Sequence, residues 1–228
     1  MHLELPKLPM ANFKDFAKHY LMIVLSILTA LGLEAWIEHA HHAHAAASAS
    51  QQIETELRAN LDDLHEATRI NQSRLAPLRQ LDAAITGDIR KGLPRAAINE
   101  HIQAMKKQFM LSLNWPAFNT QAWDVAVANQ SATWINPANL RRYSMAYAAQ
   151  RSAGEWMTHD STVALNTPRM AALRTELDLG VAVDPVEFVS VLREMVNTMN
   201  ETQAHLAQTQ TSLLNALPGN AGNAASAP

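Results

Sequence analysis

The sequence predicts an all-α protein in which an N-terminal transmembrane helix continues as a long stalk helix, followed by an extramembrane antiparallel helical bundle. Three observations support this fold class. Only 7 glycines occur among 228 residues, too few for a fold built on tight β-turns. Apolar residues recur every three or four positions along most of the chain, which is the spacing of one helical face. The only strand-like run, VAV at 181–183, is too short to predict a strand.

Composition and motifs narrow the classes of function. The chain has no cysteine, which excludes disulfides, thiolate metal sites and cysteine nucleophiles. Its net charge of -3 argues against a general nucleic-acid binder, because phosphate affinity depends on clustered Lys and Arg. No Ser-His-Asp arrangement, HExxH, calcium loop, Walker or Rossmann pattern occurs. We therefore expect a protein that is not an enzyme and has no nucleic-acid partner.

The clearest signal is an apolar segment at residues 20–37, YLMIVLSILTALGLEAWI. At about 1.5 Å per residue it matches a hydrocarbon core of roughly 30 Å. Tyr20 and Trp36 stand where interfacial aromatic residues belong. A buried core helix is the alternative, because the uncharged stretch 21–33 alone is short for a span. A cleaved signal peptide is a weaker alternative, since the small residues at 43–49 lie far beyond the apolar run.

Basic residues predict the orientation of this span. Lys7, Lys14 and Lys18 precede it, and no further Lys or Arg occurs until Arg58. The positive-inside rule therefore places residues 1–19 in the cytoplasm and residues 38–228 on the other side of the membrane. For a bacterium this means the inner membrane, with a lipid bilayer as partner and the bulk of the chain in the periplasm.

Beyond the membrane, residues 38–73 predict a histidine-rich collar and a stalk helix. Ile53, Leu57, Leu61 and Leu64 continue one helical face without an intervening glycine or proline, so the stalk should continue the membrane helix directly. Such a stripe must be buried against later helices of the same chain or against another chain. We therefore expect a protein partner or a homo-oligomer formed through the stalk and the helical domain.

Residues 74–217 predict a helical periplasmic domain of several helices. Pro77 either kinks the first helix or begins a second one. The turns and helix starts that follow are predicted from glycine, proline and capping residues. These are Gly92 with Pro94, Asn119 with Thr120, Asn136 with Pro137, Thr167 with Pro168, Gly180, and Asp184 with Pro185 and Glu187. Residues 218–228 predict a disordered tail because they are small and polar.

The histidine collar is the one unusual cluster of potential metal ligands. It contains His39, His41, His42 and His44, with Glu38 as a further donor. Imidazole and carboxylate groups three or four residues apart on a helix can bind a transition metal such as zinc, copper or nickel. The alternative is a polar collar beside the membrane that titrates near pH 6.5. No other cofactor is expected.

Aromatic residues also crowd into one stretch of the domain. Trp115, Phe118, Trp123 and Trp134 lie within twenty residues. They can form an aromatic cage for a ligand, but aromatic residues gathered where short helices meet more often form the core of a bundle.

Four segments together resemble a loose group of uncharacterised bacterial single-pass envelope proteins. They are LSILTALGLEAW (25–36), ETELRANLDDL (54–64), FNTQAWDVAVANQ (118–130) and NLRRYSMAYAAQ (139–150). The resemblance implies a short anchor ending in tryptophan that leads into a compact helical region. It brings no known activity, and this chain has histidines where similar proteins commonly carry arginines after the anchor.

The leading hypothesis is therefore a non-enzymatic single-pass inner-membrane protein that serves as a structural or accessory subunit of a membrane complex. The alternative is a periplasmic metal or ligand sensor that uses the histidine collar. The cytoplasmic segment is too short for a signalling domain, so a sensor would require a partner to carry its output.

Overall fold

The computed structural model describes residues 13–163 and 168–219, and these residues form helices, turns and extended connections without a strand. The all-α prediction is confirmed. The first twelve residues of the predicted cytoplasmic segment and nearly all of the predicted tail lie outside the described residues. The six α-helices are α1 (Phe13–Arg90), α2 (Arg95–Met105), α3 (Gln121–Ala128), α4 (Pro137–Val163), α5 (Pro168–Leu179) and α6 (Pro185–Ala216). Two short 3₁₀ helices, Lys106–Gln108 and Ser131–Trp134, complete the described elements.

Helix α1 is one unbroken helix that joins the apolar segment to the rest of the protein. It has 78 residues, which corresponds to about 117 Å at the α-helical rise. Pro77 lies inside the helix, so the alternative in which it begins a new helix is wrong. The helix ends at Arg90, and Gly92 just beyond it adopts a left-handed φ of 69° and donates its N–H to the carbonyl of Ile89 at 3.0 Å.

After α1 the chain turns and runs back along it. Helix α2 packs on the far end of α1, and an extended stretch at residues 109–120 then descends towards the apolar segment. Arg74 of α1 donates to the carbonyl of Ser112 at 3.1 Å, and Glu56 accepts from the backbone N–H of Ala122 at 2.9 Å. These contacts place α3, which follows directly, beside the middle of α1.

Helices α4 and α6 pack with α1 to form a three-helix bundle. Helix α4 rises parallel to α1, since Tyr143 contacts Glu54 and Gln150 contacts Asn60. Helix α6 descends, since its early residue Arg193 contacts Asp82 and its later residue Gln203 contacts Thr68. The bundle is therefore antiparallel between α6 and its two neighbours but parallel between α1 and α4. The parallel pair arises because the chain returns to its starting end before α4 begins.

The core has two parts, and α1 contributes to both. The part far from the apolar segment gathers residues from α1, α2, α5 and α6, including Leu78, Leu81, Ile85, Ile102, Leu173, Phe188, Leu192 and Met199. The part near the apolar segment gathers residues from α1, α3, α4 and α6, including Ala49, Ile53, Leu57, Leu61, Ala126, Tyr143, Tyr147 and Leu213. The stripe predicted for the stalk is thus buried by the chain's own later helices. The boundary predicted at residues 73 and 74 falls inside α1 and inside this packed bundle.

Several predicted helix starts and ends are found where the sequence placed them. Asp184 accepts hydrogen bonds from the N–H groups of Val186 and Glu187, and Asn136 accepts from the N–H of Ala138. Gly180 ends α5 with a φ of 71°. Two cap residues make other contacts. Thr120 precedes α3, but its hydroxyl donates to Asp124 and accepts no backbone N–H of the helix. The Glu187 carboxylate contacts Arg169.

Candidate functional site

The apolar segment at residues 20–37 is exposed except at Val24, which is half-buried. Leu21 and Trp36 expose 66% and 68% of their surfaces, and no other part of the described chain covers them. Among the described helices, α1 alone is long and apolar enough to cross a membrane by length and composition, and none of its apolar window is buried. The segment is therefore not a core helix of this fold, and it is compatible with membrane anchoring.

The histidine collar follows this segment on the same helix. His39, His41 and His44 are exposed, while His42 is partly covered. The Nε2 atom of His42 lies 3.4 Å from a carboxylate oxygen of Glu38. At about 100° per residue, His39 and His42 share one face of α1 and His41 and His44 share nearly the opposite face.

This geometry limits what the collar can bind. Because the two histidine pairs lie on opposite faces of one helix, a single ion reaches one pair at a time. Within the described residues, no group of three or more His, Asp or Glu side chains converges to hold a metal. The metal-site prediction therefore remains a prediction that rests on sequence spacing alone.

The partial cover over His42 comes from the loop that joins α3 to α4. This loop, which we call the proximal loop, comprises residues 129–136 and contains the 3₁₀ helix Ser131–Trp134. The indole ring of Trp134 stacks on the imidazole ring of His42 with ring centroids 3.6 Å apart and planes 17° from parallel. The bundle thus reaches down to the histidine collar and stands directly beside the apolar segment.

The proximal loop is held by its own hydrogen bonds. Gln130 adopts a left-handed φ of 63°, a conformation that costs a residue with a side chain roughly 1–2 kcal/mol. Its carbonyl accepts from the N–H of Thr133 at 3.1 Å and from the hydroxyl of the same residue at 2.6 Å. The side chain of Asn129 accepts from the N–H of Ser131 at 3.0 Å. These bonds offset the strain at Gln130 and define the position of Trp134.

Two buried tyrosines attach α4 to the same part of α1. The hydroxyl of Tyr143 donates to Glu54 at 2.8 Å, and the hydroxyl of Tyr147 donates to Glu56 at 2.6 Å. Burial, together with the hydrogen bond to Glu54, raises the pKa of Tyr143 to about 12. The pKa of Tyr147 is raised as well, first by burial and then by the hydrogen bond to Glu56. Both phenols therefore stay neutral at physiological pH.

The four clustered aromatic residues occupy different environments. Trp123 stacks on Tyr147 against the core, with ring centroids 5.2 Å apart. Trp115 and Phe118 lie half-buried on the extended stretch before α3. Trp134 exposes 52% of its surface while it covers His42. The four rings therefore do not enclose a common cage, and the expectation that they form the core holds for Trp123 but is wrong for Trp134.

An open groove lies at the far end of the bundle, between the 3₁₀ helix Lys106–Gln108 and α5. It has a volume of about 680 Å³ and is lined in part by Lys107, Phe109 and Arg174. Lys106 at its edge donates to the carbonyl of Leu177 near the end of α5 at 3.1 Å. Lys106 therefore stabilises the C-terminal end of α5, as cations do at helix C-termini in general, and its position is explained without a ligand.

Comparisons with protein-family models, with curated proteins and with solved structures returned no match to this chain. The candidate site is accordingly defined by geometry. It consists of the exposed apolar segment, the histidine collar and the proximal loop that packs on the collar. The contact between Trp134 and His42 had no signal in the sequence, because the two residues are far apart along the chain.

Proposed function

We propose that this chain is a non-enzymatic single-pass protein of a bacterial inner membrane, and that it serves as a structural or accessory subunit of a membrane complex. The N-terminus faces the cytoplasm and the helical bundle stands in the periplasm. One observation carries the proposal. Helix α1 leaves its apolar segment uncovered, yet the same unbroken helix is buried in the bundle from Ala49 onwards.

The continuity of α1 supports a retained anchor over a cleaved signal peptide. The small residues at 43–49, which offer the only cleavage-like sequence, lie within the helix. Ala49 is buried, and Ala46 packs against the same core. Cleavage within this stretch would remove residues of α1 that pack against the core of the bundle.

The shape of the bundle supports a structural or accessory role. Because α1 passes from the apolar segment into the centre of the bundle without a hinge, the anchor and the bundle move as one body. Residues 49–90 of α1 span about 60 Å along the helix axis. A partner bound at the far end would therefore be held at a set distance from the membrane. The exposed apolar residues at that end, Leu93, Leu179, Val181 and Val186, are available for such a contact.

Membrane anchoring is tested by two matched double variants. Ile27→Lys with Leu28→Lys places two charges in the centre of the apolar segment, at a cost of about 2.5–3.5 kcal/mol each for insertion. Leu179→Lys with Val181→Lys places the same charges on apolar residues that are also exposed, but at the far end of the bundle. The first variant should leave the carbonate-washed membrane fraction, and the second should remain there. Equal behaviour of the two variants would contradict the anchor.

The accessory role is tested by purification of the full-length protein in a mild detergent, followed by mass determination. A partner in fixed stoichiometry supports the role and identifies the complex. If the protein is monomeric or purely self-associated at native expression levels, the accessory role fails. A reporter enzyme that is active only outside the cytoplasm, fused after residue 219, tests the orientation in the same cells.

The alternative, a metal sensor, has one observation in its favour, the 3.4 Å approach of Glu38 to His42. That pair provides two ligands, and a structural metal site needs about four. A sensor would therefore require collars from two chains around one ion. Stoichiometric zinc binding that also converts the protein from monomer to dimer would favour this alternative over the accessory role.

A further inference from the structure

We propose that Trp134 is a second membrane contact, which seats the proximal loop in the headgroup region of the outer leaflet beside the anchor. This inference rests on the proposed function, because it requires the apolar segment to lie in the bilayer. The partner is a phospholipid surface, recognised by an interfacial tryptophan. The role differs from that of the apolar segment, since it belongs to the folded bundle and not to the anchor.

The proximal loop leaves its largest apolar side chain uncovered. Ser131, Ala132 and Ile135 on either side of Trp134 are buried in the bundle. Trp134 itself exposes 52% of its surface, although it is the residue of the loop with the most apolar area to bury. Trp134 therefore presents uncovered apolar surface at this end of the bundle.

The height of Trp134 above the anchor points to lipid as the occupant. Trp134 stacks on His42, which lies six residues after Trp36 on the same helix. Six residues correspond to about 9 Å along the helix axis. Each headgroup region adds about 5–8 Å to the hydrocarbon core, and tryptophan favours this zone. With Trp36 at the inner edge of the headgroups and α1 upright, His42 lies at or just beyond their outer edge, so the indole of Trp134 enters the headgroups when α1 tilts towards it.

The two tryptophans lie on different sides of α1. His42 is rotated by about 120° from Trp36 around the helix axis, so the proximal loop approaches the membrane on another side from the Trp36 ring. Transmembrane helices tilt by about 20° on average, and interfacial aromatic residues set the direction of that tilt. A tilt of α1 towards the proximal loop brings Trp134 deeper into the headgroups. Two contacts on different sides then define both the tilt and the rotation of the bundle.

The loop is built to hold this ring in one place. The strained Gln130 and its hydrogen bonds to Thr133 define the backbone directly before Trp134, and His42 supports one face of the indole. The ring is thus presented without the conformational freedom that a flexible loop would lose on binding, which lowers the entropic cost of the contact.

The test places full-length protein in vesicles of phosphatidylcholine and phosphatidylglycerol that contain one of two quenchers of tryptophan fluorescence. One is a nitroxide on the lipid headgroup, and the other is bromine on the acyl chains. The Trp36→Phe, Trp134→Phe and Trp156→Phe variants assign each emission component by difference. Trp156 serves as the matched control, because it lies on α4 stacked against His205, farther from the anchor. The headgroup nitroxide should quench the Trp134 component at least twofold more strongly than the Trp156 component.

The outcomes separate this inference from the proposed function. If acyl-chain bromine quenches the Trp36 component while the headgroup nitroxide spares the Trp134 component, the anchor stands and the second contact is overturned. If neither component is quenched by either lipid, the anchor itself fails and the inference fails with it. If Trp134 becomes protected only in a co-purified complex, the loop contacts protein and the lipid assignment is overturned.

A second measurement leaves Trp134 in place. The chain has no cysteine, so Ala128→Cys provides a single site for a spin label on an exposed residue directly before the proximal loop. Leu179→Cys provides the control at the far end of the bundle. In vesicles the label at 128 should lose accessibility to a water-soluble paramagnetic nickel complex, while the label at 179 should not. Equal accessibility at both sites would overturn the contact.

Discussion

Asn71 and Asn114 exchange two hydrogen bonds that attach the extended stretch of the chain to α1. The side-chain Nδ2 of Asn71 donates to the carbonyl of Asn114 at 2.8 Å, and the N–H of Asn114 donates to Oδ1 of Asn71 at 2.7 Å. Asn60 and Asn119 repeat the arrangement at 2.8 and 2.9 Å. The two helix residues are eleven positions apart, which returns to the same face after about three turns. Both are fully buried, so each amide replaces a backbone partner that the extended stretch lacks.

We expect Asn71→Ala to destabilise the protein by about 1–3 kcal/mol, because it leaves the N–H and the carbonyl of Asn114 without partners. The matched control is Asn197→Ala on α6, where the side chain is exposed and the change should stay within about 0.5 kcal/mol. Urea unfolding of the full-length protein in mild detergent, followed by circular dichroism, measures both. Equal stability of the two variants would show that the paired hydrogen bonds contribute nothing.

Leu57→Ala tests whether the predicted stalk belongs to the bundle. Leu57 is completely buried among residues of α3, α4 and α6, and the truncation should cost about 2–5 kcal/mol. Leu179→Ala, at a residue that exposes 74% of its surface, should have little effect. Because the contacts are within one chain, the loss should not depend on protein concentration. A concentration-dependent loss would indicate that the stripe packs between chains instead.

The tyrosine pair predicts a pH dependence at the alkaline end. The folded-state pKa of Tyr143 is about 12, above the ordinary value of 10.0, so folding disfavours the ionised phenol. Its contribution to stability is complete below about pH 10 and is lost as the pH rises towards 12. A tyrosinate absorbance titration should show late ionisation of both buried phenols, and Tyr143→Phe should remove the contribution of Tyr143 and leave that of Tyr147. Ionisation of the Tyr143 phenol at its ordinary pH, with the fold intact, would contradict the buried contact with Glu54.

The histidine collar predicts weak and divided metal binding. Since His39 with His42 and His41 with His44 lie on opposite faces, zinc titration should show two independent weak sites. The double variants His39→Ala with His42→Ala and His41→Ala with His44→Ala should each remove about half of the binding. Isothermal titration calorimetry distinguishes this from one tight site, which either double variant would abolish. A tight site would favour the sensor alternative.

Much of the fold follows from local patterns. The continuity of α1 from the apolar segment to about residue 73 follows from the unbroken apolar spacing around Ile53, Leu57 and Leu61 together with the absence of glycine in that stretch. The start of α6 follows from Asp184 and Pro185, because a side-chain acceptor and a fixed φ act within one helical turn. Pro77 shows where local reasoning stops. Its ring permits either a kink or a new helix, and packing on both sides of it kept the helix whole.

The candidate site likewise combines features that the sequence predicts with contacts that only the folded chain creates. By itself, the sequence determined the all-α class, the apolar segment, the charge asymmetry around it and the histidine collar, because these depend on residue type and short-range spacing. The tertiary structure alone decided that the stalk stripe is covered from within the chain, that α4 runs parallel to α1, and that Trp134 lies on His42. Such contacts join residues 66 to 145 positions apart, and no periodicity encodes such distances. Buried hydrogen bonds and core packing select that arrangement only when the whole chain has closed around α1.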